Sequence, residues 1–250
     1  MRKAAIIFGN KNGLPSVEKD CNRIDAFLQS PLGGCWLDEE IFYLPFEISV
    51  DELKEDLLFI KQSNFDYVFV YFSGHGGSRS QQTILEINSN EEKIYLRELL
   101  HLSQRQLTIV DCCRYPSDML SEEEFSLEKS IKQESSRMIP FIRDAFDKRL
   151  SQALPQNVIV YSCSDGEYSD DLGNGSRFTN ALLDSLYSVD KQFKLVSEVF
   201  TEAADGTSES SDYSQNPELS MPKISPQYQL PLSINPNSFA LHSKPQYFNY

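Results

Sequence analysis

The sequence predicts an α/β protein, a mostly parallel sheet with helices on both faces. Three observations carry that expectation. Four short runs, residues 3–9, 66–72, 106–111 and 157–162, are apolar almost throughout and rich in β-branched and aromatic side chains, as strands buried on both faces must be. Between them lie helix-length stretches whose apolar residues recur three or four positions apart. Finally, a chain of 250 residues, 40% apolar and 12% aromatic, has the material for the core such a sheet requires. Strand and helix alternating in this way give βαβ units rather than a sandwich or a bundle.

Taken in order, the first strand is 3–9, and Val17 to Leu28 follows with helical spacing. Residues 41–44 read as a weaker strand, 50–60 as a second helix, 66–72 as a strand and 95–102 as a further helix. After the strand 106–111, residues 116–137 are polar and acidic, with Ser121-Glu122-Glu123-Glu124 inside them, and read as a long surface loop. Residues 139–154 have helical spacing, 157–162 form the next strand and 177–187 another helix. Residues 204–216, dominated by Ser, Asp, Glu and Gly, read as a mobile loop. The prolines of 228–234 suit a strand at a sheet edge, and the chain from 235 onward reads as a tail lying on the surface.

Charge and cysteine content narrow the function. The chain carries 23 basic and 37 acidic residues, a net charge of −14, which repels phosphate backbones and disfavours nucleic acid as a direct partner. A cationic partner or substrate is favoured instead. No apolar run is long enough for a membrane span or a signal peptide, so the expected setting is the cytoplasm. The five cysteines include an adjacent pair, Cys112-Cys113, and none has zinc-ligand spacing.

Ligands in open α/β sheets sit at the carboxyl ends of the strands. One strand runs into Ser73-Gly74-His75-Gly76-Gly77 and another into Asp111-Cys112-Cys113-Arg114, so both deliver reactive groups to the same edge. A Gly-His-Gly alone is most often a turn, and a cysteine after a strand most often a small buried hydrophobe. Together at one edge they point to a Cys/His pair for nucleophilic catalysis. His101 falls in a helical pattern and His242 in the tail, so His75 has no rival.

These residues resemble the histidine and cysteine signatures of the caspase-like cysteine peptidases, nearest to metacaspases and paracaspases. Other segments agree in order. Residues 4–10 resemble the family's opening strand, and Leu14 with Asp20 resembles the start of its first helix. Gly175-Ser176-Arg177-Phe178 is similar to the helix opening of the small-subunit half, and Gln215-Asn216-Pro217 to the segment before the last strand. The resemblance spans residue 4 to about 234. Arg114-Tyr115-Pro116 departs from the metacaspase pattern and is more like caspases or paracaspases.

What the resemblance implies is a three-layer caspase-like fold with a six-stranded, mostly parallel sheet. It implies one catalytic domain over 1–250: a large-subunit-like half to 115, a linker at 116–137, a small-subunit-like half over 138–234 and a tail at 235–250. It also implies a cysteine endopeptidase in which Cys113 attacks and His75 moves the proton. Backbone N–H groups of Cys113 and Gly76 would hold the oxyanion. Cys112, facing the other way along the strand, is expected to be packed. Asp20, Ser73 and Asp111 would form a pocket for an Arg or Lys side chain of a protein or peptide substrate. No cofactor is expected. Asp165, Glu167, Asp170 and Asp171 read as a solvated acidic turn, with a ring around the pocket or a calcium site, as in some metacaspases, as the other readings. Regulation by an activating protein partner, or by cleavage at Lys129, Lys132 or Arg137, is expected, and a catalytically inactive binding scaffold is the alternative.

Overall fold

The structure, a computed structural model, describes residues 1–116 and 139–242. Along the chain it contains β1 (Lys3–Gly9), α1 (Ser16–Gln29), β2 (Ile41–Tyr43), α2 (Val50–Gln62) and β3 (Tyr67–Ser73). Three short strands follow, β4 (Gly76–Arg79), β5 (Gln82–Glu86) and β6 (Lys93–Tyr95), and then β7 (Arg105–Asp111). The second half holds α3 (Ile139–Gln152), β8 (Gln156–Tyr161), α4 (Arg177–Tyr187), β9 (Phe193–Leu195), α5 (Val196–Ser210), β10 (Glu218–Ser220) and β11 (Pro231–Ile234).

The main sheet has six strands in the order β10-β8-β7-β3-β1-β2. All neighbours pair in parallel except β10, which runs antiparallel to β8. From β1 the chain passes first to β2 on one side and then to β3 on the other, so the strand order reverses at β1. A crevice opens there at the carboxyl ends of the strands.

Alternation along the strands divides the core in two. On β1, β3 and β7, odd-numbered residues such as Ile7, Phe69, Tyr71 and Ile109 face a cluster with α1, α3, α4 and α5, joined from β8 by Val158 and Val160. Even-numbered ones such as Phe8, Val70 and Val110 face a cluster with α2, the β5–β6 hairpin and a short 3-10 turn at Leu96–Leu99. Burial of each large side chain contributes about 2 kcal/mol. Helix α2 is fixed at its start by a capping box in which Ser49 and Glu52 exchange hydrogen bonds.

The structure corrects four details of the sequence reading. Residues 95–99 are the end of a short strand and a 3-10 turn, not the first part of a helix over 95–102, because Ile94 and Leu96 are drawn into the even-face cluster from an extended chain. Residues 204–210 are the second half of α5, not a loop, since Val196, Val199, Ala203 and Thr207 give it a buried stripe at helical spacing. The strand at the sheet's β8 edge is β10, while β11 pairs with β9 in a separate two-stranded sheet. The hairpin β4–β5 went unread because its residues are largely polar. The proposed linker beyond Pro116, with Lys129, Lys132 and Arg137, lies outside the described residues, as does the end of the tail. No helix among the described residues is long and apolar enough to cross a membrane.

Candidate active site

Gly9, Ser73 and Asp111 stand on one rung of three neighbouring strands. His75 and Cys113 each come two residues after that rung, so the sheet register brings them to the same height at the crevice. A cavity of about 970 Å³ opens there, lined by Asp20, Ser73, His75, Asp111 and Cys113 among others. Five of the six residues singled out from the sequence thus meet around one space. The sixth, Gly76, packs immediately behind it.

Residue parity separates the two adjacent thiols. Cys112 belongs to the even-face cluster and is 2% exposed, whereas Cys113 is half-buried on the cavity wall. Burial pushes the Cys112 thiol far above its ordinary value. A Cβ at position 76 would lie 2.4 Å from Cys112 Sγ, so only glycine lets the His75 loop close over it. Gly76 is in register with Leu85, and the Glu86 N–H donates to the His75 carbonyl at 3.0 Å. By ladder alternation the Gly76 amide therefore points away from β5. Two residues on, the Ser78 N–H points the same way and donates to the Tyr115 carbonyl at 3.1 Å. The Gly76 N–H thus faces the Cys113–Tyr115 segment.

In this state neither member of the Cys/His pair holds the other. Among the described residues no hydrogen bond joins them. His75 Nε2 contacts the Asn12 carbonyl. Cys113 Sγ donates to the Ser169 carbonyl at 3.7 Å and accepts the Ser169 N–H at 3.4 Å. Burial is the chief reason the Cys113 thiol sits above its usual range, and the charges of Asp111 and Asp170 push the same way.

The floor of the cavity is acidic. Asp20, on α1, is completely buried. Its Oδ2 accepts the Ser176 N–H at 2.8 Å, while its Oδ1 accepts no hydrogen bond and has Arg23 Nη1 at 3.5 Å as its ion-pair contact. Desolvation first, and then the Asp111 carboxylate, push the Asp20 pKa up to about 8. Asp111 has its Oδ2 taken by the Ser176 and Thr179 hydroxyls and its Oδ1 by the Ser169 hydroxyl at 2.7 Å. Ser176 is also the N-cap of α4, accepting the Thr179 N–H at 2.9 Å, so the positive end of that helix points at the acidic pair.

Several partners here were not found from the sequence. Ser169 and Thr179 had no signal of their own, because hydroxyl residues are common at surfaces, and Gln215 was visible only as part of the Gln-x-Pro segment, not as a partner of Ser169. Ser176 was visible as part of the Gly-Ser-x-Phe segment, though not as the residue that ties Asp111 to a helix start. Arg114 is buried and structural: it donates to the Cys163 carbonyl and the Glu218 carboxylate, and its guanidinium lies 4.2 Å from the Tyr161 ring centroid. In the acidic turn Asp165 is exposed, while the other three acids are engaged rather than merely solvated. Glu167 accepts from Ser164 and Asn216, Asp170 pairs with Arg177, and Asp171 accepts from Ser16. Among the described residues no three His, Cys, Asp or Glu side chains are gathered as a metal-ligand group.

Comparison with known proteins agrees with this architecture. A model of the caspase domain matches residues 2–228. A crystal structure of caspase-1 from Spodoptera frugiperda superposes with a TM-score of 0.55 at 14% identity, covering 88% of this chain and 86% of that one. A structure of a protein from Geobacter sulfurreducens superposes with a TM-score of 0.58 at 12% identity, covering 92% of this chain and 97% of that one. A search of curated proteins returned no significant match. The chain belongs to the caspase domain family, and its fold is that of a caspase-like cysteine peptidase.

Proposed function

We propose that the protein is a cysteine endopeptidase that cuts polypeptides after Arg or Lys, using Cys113 as nucleophile and His75 as the proton carrier. One observation carries the specificity. The fully buried Asp20 carboxyl has an oxygen without a hydrogen-bond donor, beside Asp111, in the cavity that Cys113 and His75 share. Two neighbouring carboxyl groups under such burial are costly unless a cation meets them. A guanidinium or ammonium entering from the cavity supplies one, and Ser73 completes the pocket wall.

The chemistry follows from the positions of the groups. The Cys113 sulfur attacks the scissile carbonyl as its proton passes to His75, and the developing oxyanion takes the amides of Cys113 and Gly76. His75 then protonates the departing amine, and water cleaves the thioester. For this, His75 leaves the Asn12 carbonyl and the thiol leaves Ser169. A resting site of this kind suits an enzyme that needs an activating event, either a protein partner or cleavage within residues 116–137. The same resting geometry is what favours the second reading, a binding scaffold without activity.

Fluorogenic peptides with Arg, Lys or Asp before the scissile bond test the proposal. Turnover of the Arg and Lys peptides, lost in Cys113→Ala and His75→Ala but kept in Cys112→Ala, is the expected result. Turnover of the Asp peptide, or activity that survives in Cys113→Ala, would overturn it. An irreversible peptide ketone ending in Arg separates enzyme from scaffold, since only an enzyme is labelled at Cys113.

A further inference from the structure

Ser169 touches both halves of the site. Its backbone brackets the Cys113 sulfur, with the carbonyl accepting the S–H and the N–H donating to sulfur. Its hydroxyl donates to Asp111 Oδ1 and accepts Gln215 Nε2 at 3.1 Å. Because Asp111 Oδ2 is already held by two hydroxyls, Oδ1 is the oxygen that a cation in the cavity must reach. That oxygen is the one Ser169 occupies.

We infer that Ser169 is a positioning residue that couples occupancy of the cation pocket to release of the nucleophile. A guanidinium bound at Asp20 and Asp111 displaces the Ser169 hydroxyl from Oδ1, and the backbone clamp on Cys113 loosens. The inference rests on the basic-residue reading of the pocket. Displacement is favoured because a charged donor makes a hydrogen bond about twice as strong as a hydroxyl does. The carbonyl half of the clamp exists only while the sulfur keeps its proton, and the segment also keeps the thiol out of water. Loosening it therefore frees the sulfur from the carbonyl and opens it to water and reagent, an access that outweighs the loss of the Ser169 N–H, which favours the thiolate. A substrate without the cation would leave the thiol clamped, so the pocket would select at the level of reactivity as well as binding.

The test uses agmatine, a guanidinium on a four-carbon amine, and iodoacetamide, whose iodide the Cys113 sulfur displaces. The rate of modification at Cys113 is followed by peptide mass, with Cys113→Ala as background, and binding of agmatine is read from the thermal shift. Agmatine is expected to speed modification of the wild type roughly fivefold, the scale of one lost hydrogen bond. Ser169→Ala should react fast without agmatine and gain less than twofold from it, and Ser169→Thr, which keeps the hydroxyl, should restore the response.

A thermal shift without any change in the wild-type rate would overturn the coupling and leave the pocket standing. No thermal shift would remove the pocket and the coupling together. An unliganded Ser169→Ala reacting at the wild-type rate, or a full fivefold response persisting in it, would also overturn the inference, the latter by assigning the effect to neutralisation of Asp111. The agmatine arm on the wild type needs no variant, so a Ser169→Ala chain that does not fold leaves the test intact.

Discussion

Two buried charges sit at opposite ends of the same sheet, and the protein treats them differently. Lys3, at the amino end of β1, has a fully buried side chain, and its ammonium is met by a carboxylate and two aromatic rings. Asp147 lies 2.6 Å away, the Trp36 ring centroid 4.7 Å and the Phe146 centroid 5.6 Å. Asp20, beside the carboxyl end of that strand, is as deeply buried, but one oxygen has no hydrogen bond, only Arg23 at 3.5 Å as an ion-pair contact, and the charge that acts on it most strongly is another acid. Burial lowers the Lys3 pKa while Asp147 draws it back. At Asp20, burial and Asp111 act in the same direction. A buried charge held against its counter-charge belongs to the fold, whereas one that keeps an oxygen without a hydrogen-bond donor beside a second acid is positioned for something that arrives later.

Three substitutions break or sharpen that contrast. Lys3→Ala leaves Asp147 and the aromatic walls without their cation and should cost about 4 kcal/mol in urea unfolding, with kcat/KM of the folded fraction unchanged. A loss of activity at full stability would erase the distinction. Asp111→Asn should lower kcat/KM for Arg peptides roughly 100-fold and for peptides with an uncharged residue there less than tenfold. Equal losses would mean that Asp111 supports the fold rather than the pocket.

The smallest effect is expected at Asp20→Asn, and it has the opposite sign. With a folded pKa of about 8 and an unfolded one near the ordinary carboxyl value, the folded state holds a proton that the unfolded state has lost between about pH 4 and 8. Stability contributed by this group is therefore greatest at low pH and falls as pH rises through that window. Removing the group should raise Tm by about 5 °C at pH 8 and by less at pH 5, while Arg-peptide turnover falls. A Tm difference that is flat between pH 5 and 8 would mean that Asp20 is ionised throughout.

The sheet was legible in the sequence because a strand buried on both faces has little choice but Val, Ile, Phe and Tyr. Residues 3–9 were read to the residue and β3 to within one. The elements that escaped lack that constraint. Helix α5 ends in Gly206, Ser208, Ser210 and acidic residues, a composition that reads as loop, and packing of four side chains against α4 and the core overrides it. Strand β10 has three residues, too few for any period to show. At the site, Cys113, His75 and the acids were visible because each has chemistry that few residue types share. Ser169 and Thr179 were not, because a hydroxyl acquires meaning only from the carboxylate it meets.

Arg114 has a consequence for how the molecule opens. It follows Cys113 directly, and its amide and carbonyl bond to Glu167 and Gly166 at 3.0 Å each. Its side chain reaches Thr83 on β5, the Cys163 carbonyl and Glu218 on β10. The edge strand, the hairpin and the loop after β8 are thereby joined through one guanidinium into a single cooperative unit, whose amides should exchange with solvent together. Peeling the three-residue strand from its neighbour would draw the Cys113 segment with it, and the crevice would lose its shape while the parallel core of the sheet was still folded.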